Sequence, residues 1–207
     1  CIKQVPDMPS VRIDPERMTI NREGIDSIIN PGDRAALEAA LSLKEREAGL
    51  ITAITMGPPQ SEEAVREAMA MGADNGILIS DPALAGSDTW ITSQVLARAL
   101  NKLNPPFDLV LCGIRTIDSD TGHVGPQIAE AIDLPQACYV TDLISEPPAL
   151  VVRRVSEGFL ETLRLTLPAL LTIEPGTYEP RYIPFQDLEK AFSQDKVLRW
   201  NLSDLGF

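Results

Sequence analysis

The sequence predicts an α/β fold, a doubly wound and mostly parallel sheet carrying a C-terminal β-hairpin and an extended arm. Two patterns carry that prediction. Short apolar runs at residues 50–55, 77–79 and 109–112 each lead through a Gly- or Pro-marked loop into apolar residues at helical spacing, the signature of successive parallel strands with crossover helices. After Pro147 the pattern changes to strict alternation on either side of Glu157 and Gly158, as in an antiparallel hairpin. The length of 207 residues and 44% hydrophobic content suit one such domain with an appendage. The expected division is a domain over residues 1–174, including a hairpin at about 149–166, and an appendage over 175–207.

Taken in order, Cys1 and Ile2 read as the end of a strand. Lys3, Gln4, Val5, Pro6 and Asp7 then begin an irregular excursion with prolines at 9 and 15, alternation over 11–13 and a short hairpin around 17–21. Asn30 is a suitable N-cap, Pro31 suits the first helical position, and Asp33 favours the positive end of a helix whose stripe is Ala36, Leu37, Ala40, Leu41 and Leu43. The next strand ends at Met56 and Gly57, and Ser61 opens a helix with Ala64, Val65, Ala68 and Met69 inward. Asp81 and Pro82 start the loop after the third strand. There Ser87 or Asp88 caps a helix facing Ile91, Val95, Leu96, Ala99 and Leu100 inward, which Pro105 and Pro106 stop. Residues 137–140 and 170–173 read as further strands. From residue 175 onward Tyr182, Phe185, Phe192 and Trp200 look exposed, on a segment with little room for a core of its own. That reads as a partner surface, with packing back on the sheet as the alternative.

Charge and composition exclude several classes. A formal net charge of -12 with no basic run disfavours nucleic acid and anionic membrane surfaces. No apolar run is long enough to span a bilayer and no signal peptide is legible. Three cysteines without C-x-x-C spacing and one histidine make no zinc cluster, so reduced thiols and a cytoplasmic setting are expected.

The stretch LVLCGIRTIDSDTGHVGPQ, residues 109–127, reads as strand, loop and helix. In open α/β sheets ligands sit outside the carboxyl ends of strands, and helix N-termini attract phosphate. The loops after Cys1, residue 55, residue 79 and Cys112, with the helix start at Asn30, therefore surround one candidate nucleotide site. Neither G-x-G-x-x-G nor a P-loop is present. Thr89, Thr92 and Thr121 hydroxyls and helix-end amides are the candidate phosphate contacts. Asp118 and Asp120 serve either the turn or hydrogen bonds to ribose or adenine. Arg115 has two readings, a phosphate or flavin contact and a salt bridge to Asp118. His123, without a readable triad, is read as structural, and no nucleophile stands beside the paired carboxylates.

Beyond these patterns, the sequence resembles the beta subunits of electron-transfer flavoproteins along nearly its whole length. The matching motifs are CIKQVPD, INPGDRAALEAALSLKE, ITMGPP, AMAMGADNGILISD, SDTW, CGIRTIDSDTGHVGPQIAE, LPQ and EPRY, in the family's order. The resemblance implies a Rossmann-like fold that binds an adenine nucleotide, and a heterodimer with an alpha subunit. The binding set it implies is Cys1, Asn30, Pro31, Gly32, Asp33, Met56, and the loop Gly113, Ile114, Arg115, Thr116, Ile117, Asp118, Ser119, Asp120, Thr121, Gly122, His123 and Val124.

Ordinary members hold structural AMP there. Electron-bifurcating members hold FAD and take hydride from NAD in its reduced form, and the loops here look like that group, with Thr89 and Thr92 facing the pyrophosphate. Ile114-Arg115-Thr116 replaces a usual Arg-Gln-Ala, Gly122-His123 a usual Ala-Gln, and Gly32 a common Tyr or Phe. Arg181 and Tyr182 open the implied recognition loop for a flavin-containing dehydrogenase, with Phe185 as its anchor. The expected function is electron transfer from NADH to the alpha-subunit flavin and to ferredoxin or flavodoxin. The alternatives are a non-bifurcating subunit holding AMP and docking acyl-CoA-type dehydrogenases, and a nucleotide-binding sensor of related fold.

Overall fold

The computed structural model describes residues 1–7, 12–14, 19–21 and 26–207. Strand β1 (Gln4–Pro6) pairs antiparallel with β4 (Ser27–Ile29), and between them β2 (Arg12–Asp14) pairs antiparallel with β3 (Thr19–Asn21). The short hairpin read near residues 17–21 is found with wider bounds, its first strand β2 on the stretch read as alternation over 11–13 and its second strand β3 at Thr19–Asn21. Pro9, Val11, Pro15 and Arg17 lie outside the described residues.

Helix α1 (Pro31–Glu47), β5 (Thr52–Met56), α2 (Glu62–Met71), β6 (Asn75–Ile79), α3 (Thr89–Lys102), β7 (Leu109–Gly113) and α4 (Val124–Ala131) follow the alternation read from the sequence. Pro31 occupies the first turn of α1, and the Asp88 side chain caps α3 by accepting the Ile91 N–H at 2.9 Å. Ile91 itself is 45% exposed, against the inward position its spacing suggested, because the buried stripe of α3 begins only at Ser93.

Strand β8 (Gln136–Glu146) is followed by β9 (Ala149–Ser156), β10 (Phe159–Thr166) and β11 (Ala169–Ile173). The hairpin of β9 and β10 turns on Glu157 and Gly158, both at positive φ (50° and 83°), the primed geometry that matches strand twist. The sheet runs β10-β9-β8-β11-β7, with β11 parallel to both β7 and β8. A register shift between Val140 and Asp142, beside Tyr139 at φ 62°, lets β8 leave its parallel pairing with β11 and continue antiparallel to β9.

A second sheet, formed by β6, β5 and a C-terminal strand β12 (Val197–Trp200) in the order β12-β6-β5, is parallel throughout. Cys1 and Ile2 lie between the two sheets. The Cys1 nitrogen donates to the Leu111 carbonyl at 2.6 Å, and the Ile2 N–H donates to the Ile54 carbonyl at 2.9 Å. They join β7 to β5 as a strand end would.

Helices cover both faces, the doubly wound arrangement. Helices α3 and α4 pack on one side through Ile54, Val110, Ile128 and Leu170, whereas α1 packs on the other against Val140, Val152 and Leu171 and, with α2, against Ile29 and Ala53. Adjacent Leu170 and Leu171 face opposite helical layers, so β11 is apolar on both faces. Of the stripe that periodicity picked out, Ala36, Leu37 and Leu41 are buried and Ala40 and Leu43 half-buried; because α1 touches two core clusters, Ala35, Glu38 and Ala39 are buried as well.

The C-terminal segment departs from the expected extended arm. It forms α5 (Phe185–Ser193) and then β12, which adds itself parallel to β6. The reason is the open edge of β6, whose backbone groups need a partner. Trp200, read as exposed, packs instead against the α3 side of the core with the Lys102 ammonium 4.8 Å from its ring. Tyr182, Phe185 and Phe192 are exposed as read. No helix among the described residues is long and apolar enough to cross a membrane.

Candidate nucleotide site

The loop between β7 and α4 is shaped by its glycines and tied down by two side chains from the start of α1. Gly113 ends β7 against that start, where a Cβ would stand 2.6 Å from Asp33 Oδ1 and 2.7 Å from the Gly32 carbonyl carbon, so only glycine fits. Asp33 then accepts the Gly113 N–H on Oδ1 at 2.9 Å and the Lys3 N–H on Oδ2 at 2.9 Å. Burial pushes the Asp33 carboxyl up to about 6, against the lowering effect of those two backbone donors.

Asn30 stands at the N-cap position of α1 without its side chain capping it. The side chain crosses to the loop instead. The Nδ2 group donates to the Arg115 carbonyl at 3.0 Å, and Oδ1 accepts the Ile117 N–H at 3.1 Å. The N-cap role read from the sequence is thus corrected: the fully buried amide is used where two backbone groups of another segment need partners, and the α1 terminus relies on the backbone of Asn30, whose carbonyl accepts from Asp33 and Arg34. A Cβ at Gly32 would make only ordinary contact, 3.4 Å from the Arg115 carbonyl oxygen, so unlike Gly113 this position does not require glycine.

Beyond Ile117 the loop supports itself. The Thr116 and Ser119 hydroxyls share a hydrogen bond at 2.9 Å, the Asp120 N–H donates to the Thr116 carbonyl, and Asp120 and Gly122 take positive φ of 52° and 66°. The ion pairs differ from the one read in sequence. Arg115 pairs loosely with Asp120 at 3.4 Å, while Asp118 is bound by the Lys3 ammonium at 2.7 and 2.9 Å. Burial works against ionised Asp118, but the hydrogen bonds from Lys3 and Thr116 and the Lys3 charge hold its carboxyl below the usual range. Lys3 is the contributor that sequence reasoning missed. Its signal was present in its position two residues after Cys1, at the same strand end.

The expected residues fall into two groups. Cys1, Asn30, Gly32, Asp33 and the residues from Gly113 to Asp118 are joined by the contacts above, and Cys1, Met56 and Val124 pack against the same core cluster at the strand carboxyl ends. Thr89 and Thr92 lie on the first turn of α3, which packs on α4; the Thr92 hydroxyl donates to the Asp88 carbonyl at 2.7 Å. Ile114 is buried, Ile117 and Thr121 are exposed, and His123 stands just before α4 with its carbonyl accepting the Gln127 N–H. Pro31 is exposed at the start of α1. Arg181, Tyr182 and Phe185 belong to a different surface, over α1 and α2. A cavity of about 530 Å³, lined by Leu50, Leu103, Phe107 and Leu109, opens at the amino ends of β5 and β7, the opposite edge from this loop. Ligand chemistry in such sheets belongs to the carboxyl edge. Cys112, buried with its thiol pushed up to about 12 by desolvation, is no nucleophile.

A family model described as "Electron transfer flavoprotein domain" matches residues 17–205. The chain belongs to the electron transfer flavoprotein family. It is 45% identical over 204 residues to "Electron transfer flavoprotein subunit beta" of Thermoanaerobacterium thermosaccharolyticum, a match covering 99% of this chain and 78% of that protein. It is 44% identical over 208 residues to "Caffeyl-CoA reductase-Etf complex subunit CarD" of Acetobacterium woodii, with coverage of 100% and 78%. To "Protein FixA" of Azotobacter vinelandii it is 43% identical over 196 residues, with coverage of 92% and 70%. An electron transfer flavoprotein needs no nucleophile of its own, and this candidate site presents donors, hydroxyls and a charged loop.

Proposed function

We propose that this chain is the beta subunit of a heterodimeric electron-transfer flavoprotein that holds FAD at the carboxyl-end loops. By that proposal electrons from NADH pass through the site to the flavin of an alpha subunit and to a low-potential acceptor such as ferredoxin or flavodoxin. The observation that carries the reading is the loop of residues 113–124 pinned by the buried side chains of Asn30 and Asp33, in a chain of this family.

The donor chemistry fits a dinucleotide. The first turn of α4 offers N–H groups without intrahelical partners, Thr89 adds a hydroxyl while that of Thr92 donates to the Asp88 carbonyl, and the exposed Arg115 holds a loose ion pair. Bound FAD would supply the hydride-accepting and one-electron chemistry. The part of Asn30 and Asp33 is to keep the loop in place, and that of Lys3 is to hold Asp118 ionised beside it. The name of the A. woodii relative, which contains a caffeyl-CoA reductase, supports a redox enzyme acting on a CoA substrate as partner, docking at Tyr182 and Phe185. Three free thiols support a cytoplasmic setting.

The test is release and quantification of nucleotides from the purified heterodimer. About two FAD per heterodimer and no AMP is the expected result. About one FAD with one AMP would leave the chain a structural nucleotide holder and docking subunit, and no nucleotide at all would refute the site.

A further inference from the structure

The surface proposed to dock a partner dehydrogenase is gripped at both ends by arginine. At its start Arg181 meets Glu38 of α1. The Arg181 backbone N–H donates to Glu38 Oε2 at 3.1 Å, Nε donates to the same oxygen at 2.9 Å, and Nη2 donates to Oε1 at 2.7 Å, while Nη1 lies 2.9 Å from Glu45. Burial would raise the Glu38 carboxyl, but the Arg181 hydrogen bonds and charge bring it below its usual value. At the far end Arg66 of α2 donates through Nη1 to the carbonyl of Ala191 (2.8 Å), an orphan group in the last turn of α5, and to that of Gln194 just beyond the helix (2.7 Å), which also accepts the Lys196 N–H. Glu62 orients it by accepting from Arg66 Nε and Nη2, and Glu62 also binds Arg199.

Between these grips the chain is held by Ile183, which packs against the core cluster containing Leu37 and Ala64, and by the side of α5 that faces α2. Helix α5 has nine residues and none is buried, and a helix of that length is not stable alone in water. Its half-buried positions, Leu188 and Ala191, and Gln194 just beyond its end are spaced along the side that packs on α2, which leaves Phe185 (73% exposed) and Phe192 (48%) outward, next to Tyr182 (85%). Resting on the docking role proposed for this surface, we infer that Arg66 and Glu38 are positioning residues for partner recognition, clamping residues 181–194 so that Tyr182, Phe185 and Phe192 meet an apolar partner pocket already arranged. Arg181, which the sequence assigned to the partner, acts through Glu38: its guanidinium is engaged inside the chain. Pre-ordering of this kind lowers the entropy cost of docking.

The test uses the heterodimer carrying Arg66→Met, Arg66→Lys, Glu38→Gln or Phe185→Ala, with NADH as electron donor and a purified acyl-CoA dehydrogenase as the electron-accepting probe. Amide hydrogen exchange over residues 181–194 and KM and kcat for the dehydrogenase are read, with nucleotide content as the check on folding. Arg66→Met is expected to speed exchange over residues 188–194 about tenfold or more, and to raise KM about fivefold with kcat nearly unchanged. Arg66→Lys recovers most of both losses. Glu38→Gln does the same as Arg66→Met for residues 181–185, and Phe185→Ala raises KM without altering exchange. Unchanged exchange in Arg66→Met and Glu38→Gln overturns the inference. So does faster exchange with KM unchanged while Phe185→Ala raises it, which leaves the docking surface standing. If Phe185→Ala and Arg66→Met both leave KM unchanged, the docking reading fails and takes this inference with it.

Discussion

Replacing Asn30 by alanine removes two contacts that reach from the start of α1 to the nucleotide loop. Its Nδ2 donor satisfies the Arg115 carbonyl at 3.0 Å and its Oδ1 acceptor satisfies the Ile117 N–H at 3.1 Å, both from a side chain with 0% exposure. Leaving a buried polar group without its partner costs about 1–2 kcal/mol, so the pair together is worth about 2–4 kcal/mol. If the loop stays in place, that sum appears as lost stability in urea unfolding. If the loop swings out to water, it appears as weaker nucleotide retention, where 2 kcal/mol is about 30-fold in Kd. Equilibrium dialysis and urea titration on the same preparation capture both routes. Asn30→Asp is the companion variant. It keeps an acceptor for Ile117 but sets a carboxylate oxygen against the Arg115 carbonyl, so at neutral pH it is expected to be no milder than alanine. A combined effect for Asn30→Ala below about 0.5 kcal/mol, with Kd changed less than about twofold, would refute the view that Asn30 holds the loop.

Three further outcomes are expected. Asp33 titrates near 6 in the folded protein, above its ordinary value near 4, so the folded state holds the proton more tightly; its contribution to stability is full below about pH 4 and is lost as pH rises through 6, by an amount on the order of 3 kcal/mol. The stability of the natural protein relative to Asp33→Asn should therefore fall between pH 4 and 6 in urea titrations, and a rise over that window would contradict the assignment. Lys3→Met removes a half-exposed pair with Asp118, so unfolding should change by less than about 1 kcal/mol. Limited proteolysis within residues 116–122 should nevertheless accelerate, because Asp118 loses its anchor. Gly113→Ala sets a Cβ against the backbone of Gly32 and the Asp33 carboxylate and should lower stability by about 1–3 kcal/mol; Gly158→Ala, where a Cβ meets nothing within 4 Å, isolates the cost of positive φ alone.

Much of this was legible because it is local. The loop after β7 was marked by an apolar run ending in Gly113 and by helical spacing resuming at Val124. The β9–β10 hairpin was marked by alternation about Glu157 and Gly158, and the start of α1 by Pro31. Each signal lies within a few residues of the structure it specifies, through φ preference or side-chain periodicity. The charge pairings were not legible in the same way. Arg115 has acidic neighbours at 118 and 120, and only the positive φ of Asp120 together with the reach of Lys3 separates the two.

By itself, then, the sequence determined the alternation of strands and helices from α1 to α4 and the β9–β10 hairpin, that the candidate loop lies at a strand's carboxyl end, and that Tyr182 and Phe185 remain outside the core, though it misplaced Trp200 and did not show α5 or β12. Only the tertiary structure decided that Asn30 turns from its helix to a loop 85 residues away, that Lys3 holds Asp118 across 115 residues, and that Val197 to Trp200 close the edge of β6. Contacts at such separations depend on where the packed sheet brings chain segments together. Each polar side chain then pairs with whichever backbone group or charge burial has left unsatisfied there.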